Sequence, residues 1–221
     1  MIELPKFSDS FEFENNFYLT CDSPRLGKLL ADYEIFKMTN NLNGAIVECG
    51  VYKGASLSRF AMLRDLFGGL SGQKNIVAFD SFSSFPETEF ADDKPLRQKF
   101  IDIAGAESIS REQLFQVLQN KNCHNNLELI EGDICETVPK YADENKKFKI
   151  SLLNLDVDIY EPAVAILEYF YPMIESGGVL ILDDYGSFPG ETKAVDDYFS
   201  QESIEIRKFQ FCKTIHYIIK P

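Results

Sequence analysis

The sequence predicts an α/β protein with a mostly parallel sheet covered by helices on both faces. Three observations lead there. Short apolar runs recur after residue 44, amphipathic stretches with apolar spacing near 3.6 separate them, and the runs are almost continuously apolar. Strands that alternate with helices in this way build βαβ units, and their unbroken apolar character fits burial on both sides.

The elements follow in order. Residues 1–43 read as a helical lead-in whose helix is "SPRLGKLLADYEIFKMTNN". "AIVEC" (45–49) is the first strand, "ASLSRFAMLRDLF" the helix after it and "NIVAFD" (75–80) the second strand. Residues 83–125 form a long insertion with the acidic stretch "PETEFADDK". Within it, "SREQLFQVLQ" predicts a helix N-capped by Ser110, with Gln113 completing a capping box. Beside a binding edge, such a connection is either a lid or a plain surface loop. "LELIEGD" (127–133), "ISLLNLD" (150–156) and "GVLILDD" (178–184) are the third to fifth strands, and "EPAVAILEYFYPMI" is a helix before the fifth. After a helix in "ETKAVDDYFSQE", the runs "IEIRKFQF" and "KTIHYIIK" stand too close for a parallel crossover and must pair antiparallel. The expected whole is a Rossmann-like, mostly parallel seven-stranded sheet with a terminal antiparallel hairpin. That is the outline of the class I methyltransferases, and residues 44–221 form the domain.

Composition narrows the partners. With 22 basic and 35 acidic residues the formal charge is −13, which argues against a nucleic-acid substrate and fits a small-molecule acceptor. No apolar run approaches the roughly 20 residues that span a bilayer, so no membrane partner is expected. The N-terminus lacks the features of a signal peptide. Cys21, Cys49, Cys123, Cys135 and Cys212 are dispersed without a C-x-x-C pair, as reduced thiols are. Cytoplasmic localisation is the expectation, and a homo-oligomer stays open.

Ligands of open α/β sheets bind at the carboxyl ends of the strands. The first strand ends "VECGVYKGAS", and its glycines fit neither the dinucleotide fingerprint nor the P-loop. The E-x-G-x-x-x-G form suits S-adenosylmethionine: Gly50 lets the backbone turn closely against the cofactor, and Glu48 brings negative charge towards its ammonium and sulfonium. Asp80 ends the second strand, where a carboxylate can accept from ribose hydroxyls, and Asp133 falls beside the adenine edge. Asp156, Asp183 and Asp184 end the fourth and fifth strands. Three adjacent carboxylates do not all stay ionised without a compensating cation, and oxygen ligands alone select a hard ion, magnesium before calcium or manganese. Such an ion activates a hydroxyl for in-line attack on a methyl group. The competing arrangement has Asp184 capping the next helix and Asp183 paired with a Lys or Arg. His124 and His216 read as structural. Asp158, placed by a strand period of two on the same face as Asp156, is the candidate general base.

"VECGVYKGAS", "FDSFSSFPE", "LDVDIYEP", "YPMIESGGVLILDDYG" and "ETKAVDDYF" together resemble the macrocin O-methyltransferase family over about residues 44–200. The resemblance implies methylation of a sugar hydroxyl on an antibiotic or related glycan, with S-adenosylmethionine and magnesium. It implies a cofactor site at Glu48, Gly50, Asp80, Ser81 and Asp133, with Val51, Tyr52, Gly54, Ser56, Phe82 and Gly132 from the same motifs. It makes Asp156, Asp183 and Asp184 the metal ligands. Three positions depart from the family pattern: Asn154 stands where Arg is common, Val157 where Gly is, and Pro162 where Ser-Thr begins. Segment 86–125, which should meet the acceptor, matches weakly. Two rival readings are a metal-independent small-molecule methyltransferase and a non-catalytic S-adenosylmethionine-binding module, which could dispense with the three aspartates.

Overall fold

The structure is a computed structural model that describes residues 2–67 and 74–221. Seven strands form one sheet: β1 (Ala45–Cys49), β2 (Ile76–Asp80), β3 (Leu127–Glu131), β4 (Ile150–Leu155), β5 (Ile174–Leu182), β6 (Arg207–Lys208) and β7 (His216–Ile219). Their spatial order is β3-β2-β1-β4-β5-β7-β6. The first five are parallel, and β7 runs antiparallel to both β5 and β6. The chain leaves β1 in one direction for β2 and β3 and returns to its other side for β4. This switch opens a crevice at the carboxyl ends.

The helices are α1 (Ser10–Thr20), α2 (Ser23–Thr39), α3 (Ala55–Phe67), α4 (Lys94–Ala104), α5 (Arg111–Asn120), α6 (Ile134–Glu144), α7 (Tyr160–Phe170) and α8 (Pro189–Tyr198). Alternate residues of each buried strand feed two cores. Val47, Leu153 and Leu180 pack against α6, α7 and α8. Ile46, Leu152 and Ile181 pack against α2, α3 and α5. Strands β1, β2 and β4 are buried throughout, whereas β3, at the free edge, is half exposed. Among the described residues no helix is long and apolar enough to cross a membrane.

The expected elements form, with differences at their ends. The helix begun at "EP" stops at Phe170 and tightens into a 3-10 turn at Tyr171–Met173, where Pro172 cannot continue the α-helical bonding. The strand expected across "IEIRKFQF" shrinks to Arg207–Lys208, a charged pair at the sheet's outer edge, which suits an edge with nothing to pair beyond it. Helices α1 and α4 are additional to those expected. The capping box of α5 is present: Gln113 N–H donates to Ser110 Oγ at 3.2 Å and Ser110 N–H to Gln113 Oε1 at 3.1 Å.

The insertion is tied to the sheet's helices at its acidic end. Asp93, with no exposed surface, accepts from Tyr160 N–H at 3.0 Å and Gly190 N–H at 2.7 Å, clasping the first turns of α7 and α8 together. Helix N-termini carry unpaired donors and partial positive charge, so one carboxylate serves both. Glu161 returns the grip, accepting from Thr88 Oγ1 and the Glu89 and Phe90 amides. Asp93→Ala is expected to lower unfolding free energy by about 2–4 kcal/mol, because two buried amides lose their acceptor. A urea midpoint equal to that of the unaltered protein would contradict this.

Candidate active site

The carboxyl ends of the parallel strands are stitched together by backbone bonds. Gly50 N–H donates to Phe79 O, Asp156 N–H to Cys49 O and Asp183 N–H to Leu155 O, at 2.9–3.1 Å. Over these ends lies a cleft of about 840 Å³. Gly50, Val51, Tyr52, Ser56, Asp80, Ser81, Gly132 and Asp133 form part of its wall, as do Asp156, Asp158, Asp183 and Asp184.

The turn after β1 is shaped by Asp80. Its Oδ2 accepts from Val51 N–H at 2.6 Å and Tyr52 N–H at 3.0 Å, and its Oδ1 accepts from Phe82 N–H at 2.6 Å. A carboxylate offers about four acceptor positions, so little capacity remains for a ribose hydroxyl. Asp80 thus serves first as the brace of the loop. Asp133 caps α6 with one oxygen, accepting from Cys135 N–H at 2.8 Å, and is otherwise exposed to the cleft.

Three expected cofactor residues do not reach the cleft wall, and each has a packing reason. Glu48 is fully buried, its Oε1 accepting from Ser56 Oγ at 2.9 Å, and burial pushes its pKa up to about 8. It therefore brings much less negative charge to the cleft than a solvated carboxylate would. Gly54 has φ +77°, and a Cβ there would lie 2.7 Å from Leu114 of α5. Phe82 is buried in the core beneath α3 and α5.

The three aspartates converge. Leu155 and Leu182 are partners in the β4–β5 register, so the next residues, Asp156 and Asp183, emerge side by side. One oxygen from each of Asp156, Asp183 and Asp184 lies within 4.8 Å of the others. Burial, then the neighbouring Asp183, raises Asp156 well above the usual carboxylate range, and burial, then Asp158, does the same to Asp184. Asp158 is pushed up to about 8 by burial and then by Asp156. Its carboxyl lies against that of Asp184. The strand-period reasoning that selected Asp158 does not hold, because β4 ends at Leu155 and Asp158 is a loop residue with φ +64°.

Two further residues support the cluster: Lys28, which lies in no motif, and Glu191, the first residue of "ETKAVDDYF". Lys28 on α2 donates from Nζ to Asp183 Oδ2 at 2.5 Å. Burial opposes its charge, but Asp156, Asp183 and Asp184 more than offset this and raise its pKa. Glu191 on α8, fully buried, accepts from Asp184 N–H at 3.0 Å. Of the competing arrangement, the Lys–Asp183 pair is present. The Asp184 cap is not: no side chain caps α8, and Asp184 Oδ2 is buried without a hydrogen-bond partner. One ammonium facing three carboxylates, an orphaned oxygen among them, and an all-oxygen donor set fit a hard divalent cation.

The strand order, the glycine turn after β1 and the acids at successive strand ends define a class I methyltransferase fold. The macrocin-O-methyltransferase (TylF) family model matches residues 23–212, and the chain belongs to that family. Its curated relative from Streptomyces niveus, demethyldecarbamoylnovobiocin O-methyltransferase, is 26% identical over 167 residues, 72% of this chain. That match spans 59% of the relative's length. The calicheamicin methyltransferase CalS11 is similar at 28% identity and TM-score 0.79, over 95% of this chain and 85% of its own. The O-methyltransferase NovP shares the fold at 22% identity and TM-score 0.74, over 88% and 79% of the two chains.

Proposed function

We propose that this protein is an S-adenosylmethionine-dependent O-methyltransferase that methylates a hydroxyl of a sugar or glycosylated small molecule, with a divalent cation, magnesium first, at Asp156, Asp183 and Asp184. The observation that carries the reading is the convergence of three carboxylates from adjacent strand ends in the same cleft as the glycine turn, directly beside it. Similarity to CalS11, described as a TDP-rhamnose 3′-O-methyltransferase, favours a sugar hydroxyl as acceptor.

S-adenosylmethionine, when bound, supplies an electrophilic methyl group. The cation, when bound, lowers the pKa of an acceptor hydroxyl. The chain's own residues do the rest. The Gly50–Tyr52 turn and Asp133 set the cofactor's position, and the three aspartates set the acceptor's, which makes the reaction effectively unimolecular. Asp158, on the cleft wall beside Asp156 and in contact with Asp184, is placed to take the hydroxyl proton. Lys28 anchors Asp183, and Glu191 anchors Asp184 through its amide. Five free cysteines fit a cytoplasmic setting.

The test is methyl transfer from labelled S-adenosylmethionine to a panel of nucleotide sugars and glycosides. Activity is expected to vanish in EDTA and return with excess Mg²⁺. Turnover indifferent to EDTA would replace this reading with a metal-independent one.

A further inference from the structure

Four cations line the cleft, and three of them are placed away from the cofactor's amino-acid end or already engaged. Lys28 is held by Asp183. Lys53 donates to Ala104 O at 2.7 Å and lies over the Tyr52 ring. Arg25 stands about one helical turn before Lys28 on α2, further from the residues of α2 that reach α3. The fourth, Arg59, projects from α3 three residues after Ser56, so the two share a helix face, and both line the cleft.

Arg59 is oriented from behind. Its Nε donates to Asp32 Oδ2 at 2.7 Å, and Asp32 is buried on α2. A guanidinium has five N–H donors, and this bond uses one. Among the described residues the two terminal nitrogens form no hydrogen bond, and the side chain is 23% exposed. The fork is thus fixed at its root and open at its tip. Glu48 lies close enough to feel the guanidinium's charge but is bonded to Ser56 Oγ, and among the described residues Asp32 is the carboxylate that pairs with Arg59.

The direction of the cofactor is the one proposed above for the successive strand ends. The adenine end belongs by Asp133 after β3, the ribose by Ser81 after β2, and the amino-acid end by the Gly50 turn after β1, with the reacting methyl turned towards the aspartates after β4 and β5. α3 begins right after the Gly50 turn, which places Arg59 beside the end of the cofactor that carries a carboxylate. Arg and carboxylate match as two parallel charge-assisted hydrogen bonds. We infer that Arg59, held in place by Asp32, is the residue that binds the α-carboxylate of the methionine portion of the cofactor. This rests on the cofactor reading above. It adds a consequence: Arg59 makes binding depend on the amino-acid end of the ligand.

Two probes separate that dependence from binding in general. S-adenosylhomocysteine carries the carboxylate, whereas 5′-methylthioadenosine keeps adenine, ribose and thioether but has no amino-acid end. By calorimetry on the full chain, Arg59→Met is expected to weaken S-adenosylhomocysteine by about 10- to 100-fold, the range for a hydrogen bond to a charged group. It should leave 5′-methylthioadenosine within about twofold, since that probe never meets the guanidinium. Arg59→Lys should recover part of the loss. Because Arg59→Met alone strands the buried Asp32 carboxylate, the double variant D32N/R59M provides a second test with the same expected pattern. Equal weakening of both probes, or of neither, in a folded variant overturns the assignment. Failure of the unaltered protein to bind either probe would instead overturn the cofactor reading itself.

Discussion

Asp183→Ala is expected to cut methyl transfer by about a thousandfold or more, the scale of losing a preorganised electrostatic group at the reacting centre. It should at the same time remove Mg²⁺ binding. Asp183 lies at the middle of the cluster, between Asp156 on the adjacent strand and Asp184 next in sequence, and Lys28 fixes it. The fold should tolerate the change, because deleting one of three crowded carboxylates also relieves repulsion. Thermal unfolding distinguishes these effects. Excess Mg²⁺ should raise the midpoint of the unaltered protein, since a ligand that binds only the folded state stabilises it by mass action. It should leave Asp183→Ala unmoved, with both proteins alike in EDTA. A variant that kept the Mg²⁺-dependent rise would sink the proposed ligand set. Asp184→Asn offers the complementary measurement. Asp184 Oδ2 has no protein partner and its side chain caps no helix, so this residue too is expected to belong to the ion.

How much of this was legible in the sequence depends on the range of the interaction. The runs of β1, β2 and β4 were legible because burial on both faces leaves a signature within the run itself. The convergence of Asp156 with Asp183 and Asp184 was legible because each acid directly ends a strand and adjacent strands share an edge. Glu48 ends its strand region as the aspartates do, but its side chain turns to Ser56 on α3 and does not line the cleft, which no local pattern indicates. Asp80 lines the cleft, but two of the three amides that fill its acceptor positions come from a turn 28 and 29 residues earlier. Lys28 and Arg59 lie in ordinary amphipathic helices, and their partners Asp183 and Asp32 are 155 and 27 residues away. Nothing local sets such residues apart. Helix α1 escaped because it buries no residue, so no core-facing stripe marks it. The clasp made by Asp93 was hidden inside a stretch that looked merely acidic and solvated. Only the docking of the insertion on α7 and α8 reveals that this aspartate has no exposed surface.

Gly50→Ala is expected to disable cofactor and metal sites together, which no substitution of a single ligand would do. Gly50 has φ +90°, and a Cβ at this position would lie 1.7 Å from Asp156 O and 2.6 Å from Asp156 C. The obstacle is backbone, so no rotamer change relieves it. Either the turn after β1 must open or the chain carrying Asp156 must retreat. Opening the turn pulls Val51 and Tyr52 away from Asp80; retreat of Asp156 breaks the three-carboxylate cluster. Strain in the left-handed region and loss of these bonds should together cost about 3 kcal/mol or more. Urea unfolding would read that loss, and calorimetry with S-adenosylhomocysteine and with Mg²⁺ would read the two sites separately. If Gly50→Ala bound Mg²⁺ normally while losing only the cofactor, the turn and Asp156 would be mechanically independent. The close approach of their backbones argues otherwise: the glycine that lets the chain turn against the cofactor also leaves room for the carbonyl of the first metal ligand, so one missing methyl group sets the spacing of both halves of the site.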